Sequence, residues 1–434
     1  MAAAPRPAPA LTARVGNLDT VRGIAAAGVL VFHVAYASGV IYSWQGGGWL
    51  FRLSGSVNVF FVLSGFVLFR PYALAAAVRG AWPGATRYAV RRFFRIVPAY
   101  WLLLVIAFLT VFDAIPDLVT WLRYLTFTQH YVPTPLMPGV AVAWTLTVEV
   151  VFYALLPFLA FALLRRPRRG EPSYRAWRPG LLAVALVVVG VVASIGWLSQ
   201  MKPGRLSIYM HPLWFPTYAM CFAVGMAMAV ASVARHTGTA GRWGAWLDRI
   251  GDAAWICWSL GLLCFGLSVY YAGPISGLGD PTARQYAARE LLFLGCATFV
   301  LLPVVFGRRR LPEGASVIAR VAAAGSRALD RTLAHPVLRW VGTVSYGLFL
   351  WHTLIVSATA WLLGDGWWTN PYRLLAITLA GGLAAAALSW YLVEQPAMRL
   401  GDRLLGRLAT PRRPVPVRQH ADAPALSTAD SGEA

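Results

Sequence analysis

The sequence predicts an all-α integral membrane protein, a polytopic bundle of about ten transmembrane helices. Three observations carry this. Of 434 residues, 58% are hydrophobic and only 13% charged, where a soluble domain carries about 25% charged residues. Apolar stretches long enough to cross ~30 Å of hydrocarbon recur between residues 18 and 398. Those stretches are continuously apolar rather than alternating. Of the two architectures that satisfy every backbone group in lipid, helices and closed barrels, that pattern selects helices.

Spans are expected near 18–40, 54–76, 94–113, 143–164, 180–198, 212–233, 253–272, 288–306, 342–363 and 374–396. Residues 117–132 (DLVTWLRYLTFTQHYV) are shorter and mixed, and read as an interfacial or re-entrant piece of a long outer loop. Residues 307–341 form the longest inner connection, in which SVIARVAAAGSRALDRTL reads either as an amphipathic surface helix or as a solvated connector. Residues 1–16 are Ala/Pro-rich without an apolar core, so no cleavable leader is expected there. Residues 401–434, polar and Pro/Ala-rich from Ala409 onward, read as a disordered tail behind a transmembrane domain over 17–400. No internal repeat and no second soluble domain is evident.

Net charge is +21, but its distribution speaks against nucleic acid. Nearly all of it is arginine placed between apolar segments. Of the 38 basic residues, 31 fall on one alternating set of connections. Cytoplasmic loops are the basic ones, so this bias puts both termini in the cytoplasm and favours an even number of spans in a plasma membrane. The four cysteines lie in apolar stretches without metal-ligand spacing and read as small buried residues, so no metal site is expected.

Ionisable groups inside a membrane are functional candidates. Only His33 and His352 among the histidines lie deep within expected spans, and only Glu149 among the carboxylates. Arg22 and His33 are 11 residues apart, so they share a helix face and lie about 16 Å apart along the axis. That puts His33 near mid-depth if Arg22 marks the inner interface, and His352 reaches a similar depth. Glu149 falls in the outer half of the fourth span. Asp19 is about 21 Å from His33 along a straight helix and suits Arg22 at i,i+3 instead. A partner for His33 must come from another helix. Arg92 and Arg95 share a face and, with Arg22, form a candidate basic cluster at the inner mouth, suited to phosphate. A cofactor with phosphates at one end and a long arm fits this layout, and coenzyme A is such a molecule. Each group also has a structural reading: a histidine bridging helices, arginines as topology anchors, Glu149 tying two helices together. Ser64 and Gly65 in VFFVLSGF read as small packing residues. A midplane His and Glu also suit a proton-coupled transporter of a small solute.

Six segments resemble the acyltransferase-3 family of membrane acyltransferases: NLDTVRGIAAAGVLVFH (17–33), VFFVLSGFVLFR (59–70), RRFFRIVPAYW (91–101), WTLTVEVVFYALLP (144–157), SYGLFLWH (345–352) and YLVEQP (391–396). They occur in the family's order. Thr20 stands where the family usually has Gly, and Val150 where a second acidic residue is common. The resemblance implies acyl-CoA, usually acetyl-CoA, as a donor substrate with no permanently bound cofactor. It implies a carbohydrate hydroxyl as acceptor, on a cell-surface polysaccharide or a glycosylated metabolite. It also implies His33 as the key catalytic residue, with Arg92 and Arg95 important. From the residues, the expected catalytic set is His33, Glu149 and His352, and the expected donor-binding set Arg22, Arg92 and Arg95. Oligomeric state is not legible.

A reporter fused after Ala434 is expected to read out in the cytoplasm. An extracytoplasmic readout would break the alternation of basic loops.

Overall fold

Backbone satisfaction in lipid forces each apolar run to coil into helix. The computed structural model describes residues 17–110, 116–132, 134, 137, 139–166, 173–174, 177–200, 211–273, 281–307, 317–364 and 370–408. Among these, ten helices are long and apolar enough to cross a membrane. They are α1 (Asn17–Ala37), α2 (Ser56–Val78), α3 (Ala85–Thr110), α4 (Ala143–Leu164), α5 (Pro179–Ser199), α6 (Phe215–His236), α7 (Ala254–Tyr271), α8 (Ala283–Phe306), α9 (Ser345–Leu363) and α10 (Pro371–Ser389). The only described strand pairing is a two-residue ladder, Arg165–Arg166 with Ser173–Tyr174. The protein is therefore the all-α polytopic membrane protein that the sequence predicts.

α10 does not stop near residue 396. It continues through a π-helical segment, Trp390–Glu394, into Gln395–Leu408. Part of the expected tail is thus helix, and 409–434, like 1–16, lie outside the described residues. The amphipathic reading of the long connection holds: Val317–Leu333 is a helix. Asn17 Nδ2 donates to Asp330 Oδ1 at 2.6 Å and the Thr20 hydroxyl to the Leu333 carbonyl at 2.7 Å. These bonds dock that helix on the start of α1, where Arg22 stands.

α6 is the central helix. In its most apolar window 94% of residues are buried, against 22% for α5, α7 and α10. Without a hydrophobic drive between helices in lipid, close association needs small residues. A Cβ on Gly225 would lie 2.1 Å from the Val62 carbonyl oxygen, and one on Gly65 2.3 Å from the Phe222 oxygen, so α2 and α6 touch backbone to backbone. α9 packs against both α1 and α10, which carries His352 to the helix that carries His33.

Gly225→Leu is expected to lower the thermal midpoint in detergent, at a cost of about 1–3 kcal/mol or more from overpacking. Gly196→Ala, where an added Cβ meets nothing within 4 Å, should leave the midpoint unchanged or slightly raised.

Candidate active site

The sequence-predicted residues gather into two adjacent groups. The first lines a deep cavity between α1, α2, α3, α4 and α9, walled by Arg22, Arg92, Arg95, Ser64, Glu149, Tyr153 and Tyr346, with Phe60, Phe61 and Phe349 as apolar surface. Lining residues on α2 run from Val57 to Leu68, which is about 16 Å of helix. Three guanidinium groups against one carboxylate make the cavity cationic. Arg22 also pairs with Asp19 at 3.1 Å, as the i,i+3 spacing predicts.

Glu149 is held inside this cavity, not beside a histidine. Ser64 Oγ donates to its Oε1 at 3.0 Å and Tyr153 Oη to its Oε2 at 2.7 Å. This corrects the reading of Ser64 as a packing residue: Gly65 does the packing and Ser64, next to it, supplies a hydrogen bond. Tyr153 shares Glu149's face at i,i+4, but the Ser64 contact joins residues 85 apart and no local pattern announces it.

The second group is the histidine pair. His352 Nε2 lies 3.2 Å from His33 Nδ1. The rings meet edge to face with centroids 5.0 Å apart. The predicted partner from another helix is therefore His352. Two carbonyls set the tautomers. Each Nδ1 faces the carbonyl of the preceding turn, His33 that of Val29 at 3.0 Å and His352 that of Leu348 at 3.1 Å. A carbonyl only accepts, so both Nδ1 atoms carry the hydrogen. His33 Nδ1–H is then shared between Val29 and His352 Nε2, and His33 Nε2 keeps its lone pair. Phe349, which lines the cavity, lies 6.0 Å from the His352 ring and stands between the two groups.

Arg95 is braced by the π-helical segment of α10. Its guanidinium lies 5.6 Å over the Trp390 ring, Nη1 donates to Met398 Sδ at 3.5 Å, and it interacts electrostatically with Glu394, whose Oε1 accepts from Ser389 at 3.0 Å. Glu394 lies in the YLVEQP segment but is not among the site residues expected from the sequence. A signal was present, since π segments favour functional sites, but a π turn is not legible without coordinates.

The loop expected to be interfacial forms a short helix, Leu118–Leu125, and folds over the end of the bundle away from the arginines. Tyr100 Oη donates to the Tyr124 carbonyl, Thr353 Oγ1 to the Gly139 carbonyl and Trp214 Nε1 to the His130 carbonyl. At the same end Glu290 is paired with Arg289 and accepts from Asn58 at 3.1 Å.

With the geometry in view, the comparisons decide the family. A profile described as an acyltransferase domain matches residues 15–394. The chain belongs to this acyltransferase family. Among similar proteins are the peptidoglycan O-acetyltransferase OatA of Listeria monocytogenes (23% identical, covering 89% of this chain and 56% of that protein) and nodulation protein 10 of Rhizobium leguminosarum bv. viciae (25%; 90% and 95%). Acyltransferase MdmB of Streptomyces mycarofaciens is 26% identical over 94% of this chain and 95% of its own. The chain thus spans little more than half the length of OatA. No solved structure matches. The acyltransferase is an O-acyltransferase enzyme embedded in a membrane.

His130, in the loop at the end of the bundle away from the arginines, gives the protein a pH signature. It is 3% exposed, and burial pushes its imidazole down to about 4. The unfolded chain takes up the proton near 6.5 and the folded one does not until about 4. His130 therefore contributes fully above about 6.5, and that contribution is lost as pH falls towards 4. Replacing it with Leu should flatten the fall in thermal midpoint across that window, by about 1–3 kcal/mol.

Proposed function

We propose that the protein transfers an acyl group, acetyl being the simplest, from acyl-CoA to a hydroxyl of a carbohydrate acceptor. The single observation that carries this is one deep cationic cavity running alongside a hydrogen-bonded histidine pair. The basic-loop bias supports a plasma-membrane protein with both termini and the arginine-rich mouth in the cytoplasm, where acyl-CoA is made. Arg22, Arg92 and Arg95 hold donor phosphates by charge-assisted hydrogen bonds. The pantetheine arm runs along Phe60, Phe61 and Phe349 towards the histidines.

His33 acts through Nε2 as general base. It takes the proton of the acceptor hydroxyl as the oxygen attacks the thioester carbonyl. The carbon–sulfur bond breaks, and the thiolate leaves with the proton returned from His33. His352 positions His33 and receives a hydrogen bond from the imidazolium, the role an orienting group plays beside any histidine base. Glu149, fixed by two hydroxyls, presents a set carboxylate to acceptor hydroxyls and balances the arginines. The similarity to OatA, a peptidoglycan O-acetyltransferase, supports a glycan acceptor. A glycosylated small metabolite is the other acceptor class.

Acetyl-CoA binding and slow thioester hydrolysis are measured on purified protein. Wild type is expected to bind and hydrolyse. Arg95→Ala should weaken binding at least roughly tenfold. His33→Ala should bind as wild type but lose about 10²–10⁴-fold in turnover. If folded wild type binds no acyl-CoA of any chain length, the donor reading fails and a proton-coupled transporter gains ground.

A further inference from the structure

Beyond Arg92, at the wall of the cavity, a row of aromatic side chains follows. Tyr88 stands one turn before Arg92 on α3 and shares its face. The Tyr88 ring is 6.5 Å from that of Tyr72 on α2, the Tyr72 ring 5.0 Å from Trp82, and the Arg165 guanidinium, at the end of α4, 5.1 Å over Trp82. These side chains form a line from the cavity wall towards the arginine-rich face.

Three polar atoms along that line are buried and make no hydrogen bond: Tyr72 Oη, Tyr88 Oη and Arg92 Nε. Tyr72 is only 1% exposed. Each such group is costly if left dry. Arg92 Nε is a donor only, and each phenol hydroxyl can donate. Between Arg70 and Phe112 the sequence has six arginines and no acidic residue, so the surrounding segment offers no carboxylate. What completes three donors in a cationic chamber is a group of several acceptor oxygens and negative charge, a phosphate. An indole beside it suits a purine, because every base presents a π-face to stack.

We propose that Tyr72, Tyr88, Trp82 and Arg165 form the nucleotide subsite of the donor, with the two hydroxyls and Arg92 Nε on the 3′-phosphate of its ribose and the adenine against Trp82. This rests on the acyl-CoA reading above. Arg22 and Arg95 are then left for the pyrophosphate, and the donor lies with its nucleotide at the arginine-rich face and its thioester towards the histidine pair. A lipid headgroup phosphate shares this chemistry. Tyr72 lies inside the bundle rather than on its lipid surface, which favours the nucleotide.

Binding of CoA, dephospho-CoA and adenosine 3′,5′-bisphosphate to the full chain tests this. Wild type should bind the bisphosphate, and should bind CoA roughly tenfold or more tightly than dephospho-CoA. The double variant Tyr72→Phe/Tyr88→Phe should bind CoA no better than dephospho-CoA and dephospho-CoA as wild type does. Its thermal midpoint should not fall, because the lost hydroxyls had no partner. Equal wild-type affinity for CoA and dephospho-CoA overturns the subsite while leaving the donor reading intact. So does a variant that weakens both ligands alike. In nanodiscs, loss of the wild-type preference for CoA over dephospho-CoA on exchanging phosphatidylcholine for phosphatidylglycerol assigns the site to a headgroup and overturns it as well. Failure of wild type to bind any of the three ligands sinks the donor reading and the subsite together.

Discussion

The backbone contact between α2 and α6 is the constraint on which the rest depends. Gly65 and Gly225 let the two helices close until a single added methyl group would strike a carbonyl oxygen. With α6 buried almost throughout, α2 becomes the helix around which both polar clusters are set. Ser64, beside Gly65, is held towards α4 and meets Glu149. Asn58, further along the same helix, reaches Glu290 on α8. A looser contact would let α2 rotate and strand both carboxylates. In lipid the cost of that is high, because water is not at hand to replace the lost donors.

Glu149, Glu290, Glu394 and the histidine pair are each held in a way that suits their position. Glu149 receives two hydroxyl hydrogen bonds, Glu290 an amide and a guanidinium, and Glu394 a serine. The histidines use their own helices' carbonyls and each other. This separates the work of the site. Three guanidinium groups sit in the cavity, and the histidine pair sits beside Phe349. An imidazolium formed among three guanidinium groups would be repelled. In the proposed reaction, keeping the two groups apart reduces that penalty.

Much of this was legible in the chain. The ten spans follow from apolar length, and their order matches the structure to within a few residues at most ends. The Asp19–Arg22 pair follows from i,i+3 spacing, and Arg92 and Arg95 share a face because they are three apart. Contacts beyond one helix were not legible. His33 meets a residue 319 positions away, and Ser64 meets Glu149 across 85. No periodicity encodes which of several inward faces will oppose which. The π turn at Trp390–Glu394 and the helix running on to Leu408 were missed because nothing in the local pattern marks where a span ends and an amphipathic extension begins.

By itself, then, the sequence determined that this is a ten-span helical membrane protein with two histidines, one carboxylate and an arginine cluster as its polar interior. Hydrocarbon imposes long apolar runs, and whatever interrupts them stands out. Only the tertiary structure decided that the histidines pair with each other and that Glu149 belongs to the arginine-lined cavity. Those outcomes depend on helix rotation and register, which are set by close packing at a few glycines and not by the composition of any one span.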